Sequence, residues 1–239
     1  MNLRIYDNAE GLGLQANSGA TTMEDSSELL SLEEYNGRGG GVANVQRCFD
    51  VLLTGIALVL LMPVFALLAL IIKLDSPGPV LFKQLRVGKN GEEFWFYKFR
   101  SMVADAEVRR QALLKMNEAS GPLFKIKNDP RITRSGRWLR KYSLDELPQL
   151  LNVMRGDMSL VGPRPALPSE VANYSDRQRG RLVVRPGITG LWQVSGRSDL
   201  PFDRCIELDL EYVERQSMGL YVRILFMTLP AVLSGRGAY

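Results

Sequence analysis

Histidine is absent from all 239 residues. That excludes Ser-His-Asp and Cys-His nucleophiles, histidine general bases and histidine-liganded metals. Acid–base or nucleophilic work is left to carboxylates, Lys, Tyr, Ser or Cys. Cysteine is nearly absent: Cys48 and Cys205 are the only two. They make no disulfide framework and have no metal-ligand spacing, which fits a reduced, cytosol-facing location. No G-x-x-x-x-G-K-[ST] phosphate loop, strand-linked G-x-G-x-x-G or G-x-S-x-G elbow occurs. A D-x-D metal motif is also missing. Its nearest approach, Asp209-Leu210-Glu211, sits in a helix-like stretch.

What charge there is lies unevenly. Residues 1–46 carry seven acids against Arg4 and Arg38, leaving the basic remainder of a chain whose net charge is +4. A basic body suits phosphorylated substrates or an anionic membrane surface. The first 46 residues lack hydrophobic periodicity and end in GRGGGVANVQ. They read as a disordered acidic tail and Gly-rich linker, with a short helix around SSELLSLEEY. No basic start followed by an apolar core marks a signal peptide.

Val51 to Ile72 runs 22 residues without a charge. A buried core helix is rarely apolar on every face for that length, so the segment reads as membrane-embedded. Pro63 leaves 12 residues before it and 9 after. Neither part alone crosses about 30 Å of hydrocarbon. A proline there breaks or kinks the helix, giving either a kinked single span or a re-entrant hairpin. Arg47 before the segment, and Lys73, Lys83, Arg86 and Lys89 after it, favour both ends on the cytoplasmic side.

Beyond residue 73 the chain reads as one compact α/β domain, mixed and mostly helical, covering 74–239 behind a membrane segment at 47–73. Asn90-Gly91 between strand-like runs predicts a type I′ hairpin turn. Phe94 to Phe99 forms its second strand, Ala104 to Asn117 is helix-like, and LPQLLNVM is helical in character.

The segment SLDELPQLLNVMRGDMSLVGPRP carries the chemistry. Ser143 to Glu146 matches an S-x-x-E capping box, and ordinary capping acids are the plain reading. Pro148 weighs against it, because a helix capped at Ser143 would place the proline past the first turn. A helix starting at Asp145 tolerates Pro148 and sets Asp145 and Glu146 where backbone N–H groups are free. Arg140, Lys141, Arg155 and Arg164 lie nearby in sequence. A carboxylate among guanidiniums is held ionised and can serve as a nucleophile, while its neighbour holds Mg²⁺. Arg164 between two prolines is a rigid anion clamp or simply a solvated turn arginine. Arg197 reads the same way, and Lys98 is a phosphate base or an outward-facing strand lysine.

FYKFRSM, KNDPRITRSGRWLRKYSLDELPQLLNVMRGDMSLVGPRP and VRPGITGLWQVSGR resemble blocks of the bacterial sugar transferase family, in order. These are the monotopic polyprenyl-phosphate sugar-1-phosphate (phosphoglycosyl) transferases, and the resemblance runs from about Val45 to the C-terminus. The ending TLPAVLSGRGAY resembles the exopolysaccharide branch, whose members often start a repeat unit with galactose or glucose phosphate. The resemblance implies a proline-broken re-entrant helix, Val51 to Ile72, holding a cytoplasmic domain on the bacterial inner membrane. It implies a catalytic dyad of Asp145 and Glu146, which also holds a required Mg²⁺. It assigns phosphate and substrate binding to Lys98, Arg140, Arg164 and Arg197. The reaction implied takes a sugar phosphate from a UDP-sugar through an aspartyl intermediate to undecaprenyl phosphate, releasing UMP. Two positions depart from the family: Met62 precedes Pro63 where Ser is frequent, and Tyr221 stands where many members have Asp.

The partners expected are thus a UDP-sugar, undecaprenyl phosphate and inner-membrane lipid, with no nucleic acid; a homo-oligomer is left open. Two other readings stand beside this one. A membrane-anchored interaction or regulatory protein of a polysaccharide assembly would have no reaction at all. A metal-dependent glycosyltransferase would release UDP.

Overall fold

A computed structural model describes residues 23–118, 126, 128–197 and 200–234, with side chains from residue 41 on. Residues 1–22 of the expected tail, and the last residues of SGRGAY, lie outside them. The first element, α1 (Met23–Asp75), takes in the SSELLSLEEY stretch and starts upstream of the boundary at residue 47 that the sequence suggests. Its part Gly41–Asp75 is long and apolar enough to cross a membrane, and little of it is buried.

Strands β1 (Leu81–Val87) and β2 (Glu93–Phe99) form an antiparallel hairpin in which Leu81 pairs with Phe99 and Val87 with Glu93. Asn90 and Gly91 take the positive φ values, 57° and 84°, that a type I′ turn needs. The turn closes with Glu92 N–H on Lys89 O at 3.1 Å. The expected Ala104–Asn117 helix is shorter: α2 (Ala106–Ala112) followed by a 3-10 turn at Leu114–Met116.

Helix α3 (Arg134–Lys141) is capped by Thr133, whose Oγ1 accepts Gly136 N–H at 3.0 Å. A 3-10 turn, Leu144–Glu146, leads into α4 (Gln149–Arg155), which Gly156 ends in the left-handed conformation at φ 97°. Strands β3 (Ser159–Val161) and β4 (Gly187–Thr189) pair in parallel. Between them lie α5 (Pro168–Val171) and α6 (Asp176–Arg179). The chain continues through α7 (Leu191–Ser195), α8 (Phe202–Glu214) and α9 (Met218–Ser234). The fold is mixed and helix-rich, with two two-stranded sheets among the described residues.

Pro63 does not interrupt α1: the backbone stays helical across it, although the proline lacks the N–H that would bond the Val59 carbonyl. Both flanks of the apolar segment pack on the domain. On the N-terminal side, Arg47 donates to the Val153 carbonyl and to Met154 O, the latter at 2.8 Å. Asp50 Oδ1 accepts Leu160 N–H at 2.9 Å and Tyr221 O–H at 2.7 Å. On the C-terminal side, Leu68 and Ile72 are buried with Phe99 and Leu139. Asp75 accepts from the N–H and hydroxyl of Ser135 at 2.9 and 2.8 Å. Between the flanks Val59, Leu60 and Met62 stand 68%, 69% and 66% exposed.

Tyr221 therefore ties α9 to α1 at a fully buried point. Burial, then the Asp50 carboxylate, hold its hydroxyl protonated far above the ordinary tyrosine range. Tyr221→Phe leaves a buried carboxylate one donor short, which costs about 1–3 kcal/mol. The check is a denaturation midpoint in detergent, expected to fall. An unchanged midpoint would remove this bond from the account of how α9 is held.

Candidate active site

The site is assembled where β2, α3, the Leu144–Glu146 turn and the start of α4 meet. Asn152 of α4, fully buried, sets their spacing. Its amide donates to Trp95 O at 2.7 Å and accepts Tyr97 N–H at 3.2 Å, pairing the free edge of β2 with a helix side chain. Phe96 and Lys98 share one face of β2 by strand alternation. Phe96 is buried on that face, so Lys98 follows it inward. Lys98 Nζ lies 2.7 Å from Glu146 Oε1 and 3.9 Å from Asp145 Oδ2. The outward-facing alternative for Lys98 is thereby excluded.

The capping-box reading fails on geometry. Ser143 adopts the left-handed conformation, φ 54° and ψ 23°, and its side chain caps nothing. Its hydroxyl instead accepts from Arg197 Nη2 at 2.8 Å. A helix start at Asp145 is not adopted either. Both acids occupy the 3-10 turn, and Pro148 stands at the cap of α4, where its missing N–H is harmless.

The two carboxylates differ in surroundings. Asp145 is buried, and this desolvation pushes its carboxyl above the ordinary range despite the opposing charges of Lys98 and Arg140. Burial acts on Glu146 in the same direction, but is outweighed by the charge and hydrogen bond of Lys98 and the charges of Arg197 and Arg164, so its carboxyl lies low. The low value expected of a carboxylate among guanidiniums thus applies to Glu146 and not to Asp145.

Arg197 Nη1 also donates to Ala231 O of α9 at 3.2 Å. Arg164 Nη1 is 3.6 Å from Glu170 Oε1. The six residues singled out in the sequence thus fall into two ranks: Lys98, Asp145 and Glu146 in direct contact, and Arg140, Arg164 and Arg197 acting on the carboxylates by charge.

What holds the Arg164 turn is not legible in the sequence. Arg86 Nη1 donates to Pro165 O at 3.0 Å, and Arg181 Nη2 to Arg164 O at 3.0 Å. Arg181 is itself fixed by the Tyr174 hydroxyl at 2.7 Å and by an ion pair with Asp209. Asp209 is fully buried. Burial lifts its carboxyl to about 6 even with Arg181 alongside. Glu211 lies in a separate pair with Arg215 at 2.7 Å. The Asp-Leu-Glu stretch is therefore a brace and a surface pair rather than a metal motif. No group of three or more metal-ligating side chains occurs among the described residues.

A cavity of about 260 Å³ opens beside the turn, with Glu146 and Arg197 in its wall. The remaining lining is mainly aliphatic and comes from residues 142–147 around the turn and from α4, β4, α7 and α9.

Residues 42–235 match the family model described as bacterial sugar transferase. The chain is 50% identical over 162 residues to the galactosyl transferase CpsE of Streptococcus agalactiae, covering 67% of the chain and 36% of that relative. It is 42% identical over 204 residues to the exopolysaccharide production protein ExoY of Rhizobium meliloti, covering 84% and 89%. It is 43% identical over 203 residues to the undecaprenyl-phosphate galactose phosphotransferase of Salmonella typhimurium, covering 82% and 42%. The chain thus spans well under half of the first and third of these relatives and most of the second.

Removing the Asp209 carboxylate leaves Arg181 charged and buried. Asp209→Ala is expected to destabilise the fold by about 3–5 kcal/mol, whereas Glu211→Ala, which loses a surface pair, changes it by about 1 kcal/mol or less. Thermal unfolding of the two variants side by side checks this ranking, and equal shifts would contradict it.

Proposed function

The chain belongs to the bacterial sugar transferase family, and from that premise we propose that it moves a sugar-1-phosphate from a UDP-sugar to undecaprenyl phosphate. It is an enzyme of phosphosugar transfer in exopolysaccharide synthesis, and its long apolar helix is consistent with membrane association. The observation that carries the finer reading is the Asp145–Glu146 pair contacted by Lys98 and surrounded by three arginines.

In the first half-reaction an Asp145 oxygen attacks the β-phosphorus of the UDP-sugar. The bond from that phosphorus to the bridging oxygen breaks, and UMP leaves with the electron pair. The sugar phosphate is then carried as an aspartyl phosphodiester. In the second, an oxygen of undecaprenyl phosphate attacks the same phosphorus and displaces the Asp145 carboxylate, giving the diphosphate-linked lipid sugar. Asp145 carries no side-chain hydrogen bond as short as that between Lys98 and Glu146. This leaves its lone pairs the more available for attack. Glu146 holds Lys98 beside the phosphates. Arg140, Arg164 and Arg197 neutralise phosphoryl charge, which is most of what this chemistry requires.

Two carboxylates on one turn, completed by substrate phosphate oxygens, fit the needs of Mg²⁺. Asp145 and Glu146 would hold it, and it would supply further charge neutralisation. The same donor set makes a non-catalytic interaction protein the weaker reading.

For topology, Asp50 and Ile72, at the two flanks of the apolar segment, pack on one domain while its middle is exposed. This supports a re-entrant segment with the domain on the cytoplasmic face of the inner membrane, the backbone staying helical across Pro63. The sugar is galactose or glucose, galactose being the one for which two of the relatives above are named.

Full-length protein in detergent, given a panel of UDP-sugars, Mg²⁺ and undecaprenyl phosphate, is expected to release UMP. Release of UDP would point to an ordinary glycosyltransferase instead. Asp145→Asn is expected to lower transfer by about a thousandfold or more while circular dichroism stays unchanged. Full activity in that variant removes Asp145 from the role of nucleophile.

A further inference from the structure

We propose that the cavity beside the dyad seats the first isoprene units of the lipid phosphate acceptor, delivering its phosphate to Asp145 from the α9 side. This rests on the acceptor named under the proposed function and adds where its chain lies.

The cavity has one charged end and aliphatic walls. Glu146 and Arg197 form the charged end, and Leu147, Leu150, Ile188, Val194, Ala231 and Val232 the walls. The hydroxyls of Ser143, Thr189 and Thr228 in its lining are already engaged, and Tyr142 adds a fourth. Ser143 accepts from Arg197, and Thr189 and Thr228 bond each other at 2.8 Å. An apolar stem with one anionic head matches that distribution.

Helix α9 connects the cavity with lipid. Tyr221 and Ile224 are buried, and Thr228 and Ala231 face the cavity, a spacing that traces one stripe of the helix. Val222, Phe226, Leu229 and Leu233 form the other stripe and are exposed. The Tyr221–Asp50 bond joins this helix to α1, whose apolar middle is exposed too. A prenyl chain leaving the bilayer along α9 therefore meets apolar side chains up to Glu146, the neighbour of Asp145.

The competing occupant is the nucleoside of the donor. Gln193 argues for it, because its Oε1 is buried with no donor among the described residues, while its amide nitrogen donates to Ile188 O at 3.0 Å. A base N–H or a ribose hydroxyl would use that acceptor. Beyond Gln193 and the Tyr142 hydroxyl the walls are mainly aliphatic and would leave the rest of a nucleoside's polar edge unpartnered, and this decides for the lipid.

The test fills the cavity from α9 with Val232→Trp, and with Val232→Phe as a smaller second filling; an unchanged thermal transition certifies the fold of each. Three quantities are read on full-length protein in detergent: the UMP burst from a UDP-sugar without acceptor, the KM for undecaprenyl phosphate, and competition by geranyl phosphate. The expected result is an unchanged burst, at least a tenfold rise in lipid KM, and loss of geranyl phosphate competition. A raised UDP-sugar requirement with an unchanged lipid KM assigns the cavity to the nucleoside and overturns the proposal. No change in any of the three, in a folded variant, also overturns it. Absence of a UMP burst from the unaltered protein defeats the covalent reading instead. Calorimetric binding of geranyl phosphate to that protein, lost in Val232→Trp, would then still uphold the cavity assignment, and no such binding would overturn it.

Discussion

The arrangement of the site depends on one buried amide. Asn152 replaces a neighbouring strand at the edge of β2 by satisfying Tyr97 N–H and Trp95 C=O. An open edge with unpaired groups is both costly and a template for mispairing. Here the pairing also fixes a register between a strand and a helix that are far apart in sequence. Lys98 follows Tyr97 directly, and the Leu144–Glu146 turn leads into the helix that carries Asn152. Once the amide is seated, Lys98 and Glu146 have little freedom to separate. Asp157 Oδ2 accepts the remaining amide hydrogen at 3.0 Å, so the group has no reason to rotate.

From that register follows the asymmetry of two adjacent acids. Neighbouring carboxylates with equal surroundings would titrate as an indistinguishable pair. Here burial works on both, while Lys98 lies 2.7 Å from one and 3.9 Å from the other. Environments that push two like groups apart are how one turn supports two roles. One oxygen of Glu146 is paired with Lys98, and Asp145 is enclosed without a contact as short. This asymmetry gives structural support to a division of labour that in the sequence rests on resemblance alone.

Local features were legible in the sequence because their causes are local. Asn90-Gly91 demanded positive φ, and the structure turns there. The uncharged run from Val51 to Ile72 demanded a helix with unusual surroundings, and its middle is exposed. The acid pair stood out because it sits among bases beside a proline that spoils the capping reading. What escaped were pairings between distant residues. Arg181 and Asp209 brace Arg164 from 17 and 45 residues away in the chain, and the one spacing that marks Asp209, with Glu211, points away from this pairing. Asn152 was the nearest to a missed signal, since a lone polar residue within an apolar helix asks what it bonds to. The helix start was misplaced for a similar reason. Ser143 is drawn into a left-handed conformation whose hydroxyl serves Arg197, and no local pattern predicts that.

Tyr221 shows how a departure from a family pattern can be read physically. The side chain opposite it is Asp50, also buried, which already accepts from Leu160 N–H. An aspartate at 221 would set two carboxylates against each other in a place without water, whereas a tyrosine hydroxyl supplies the donor that Asp50 can use. The position lies on a structural seam, away from the dyad. Its consequence still reaches the site through the helix it anchors. Ten residues on, the carbonyl of Ala231 accepts from Arg197, whose other nitrogen holds Ser143. Helix α9 is thus pinned to α1 at one end and to the turn carrying Asp145 and Glu146 at the other. A shift of α1 relative to the domain would have to break the Tyr221 bond or be passed along α9 to Arg197.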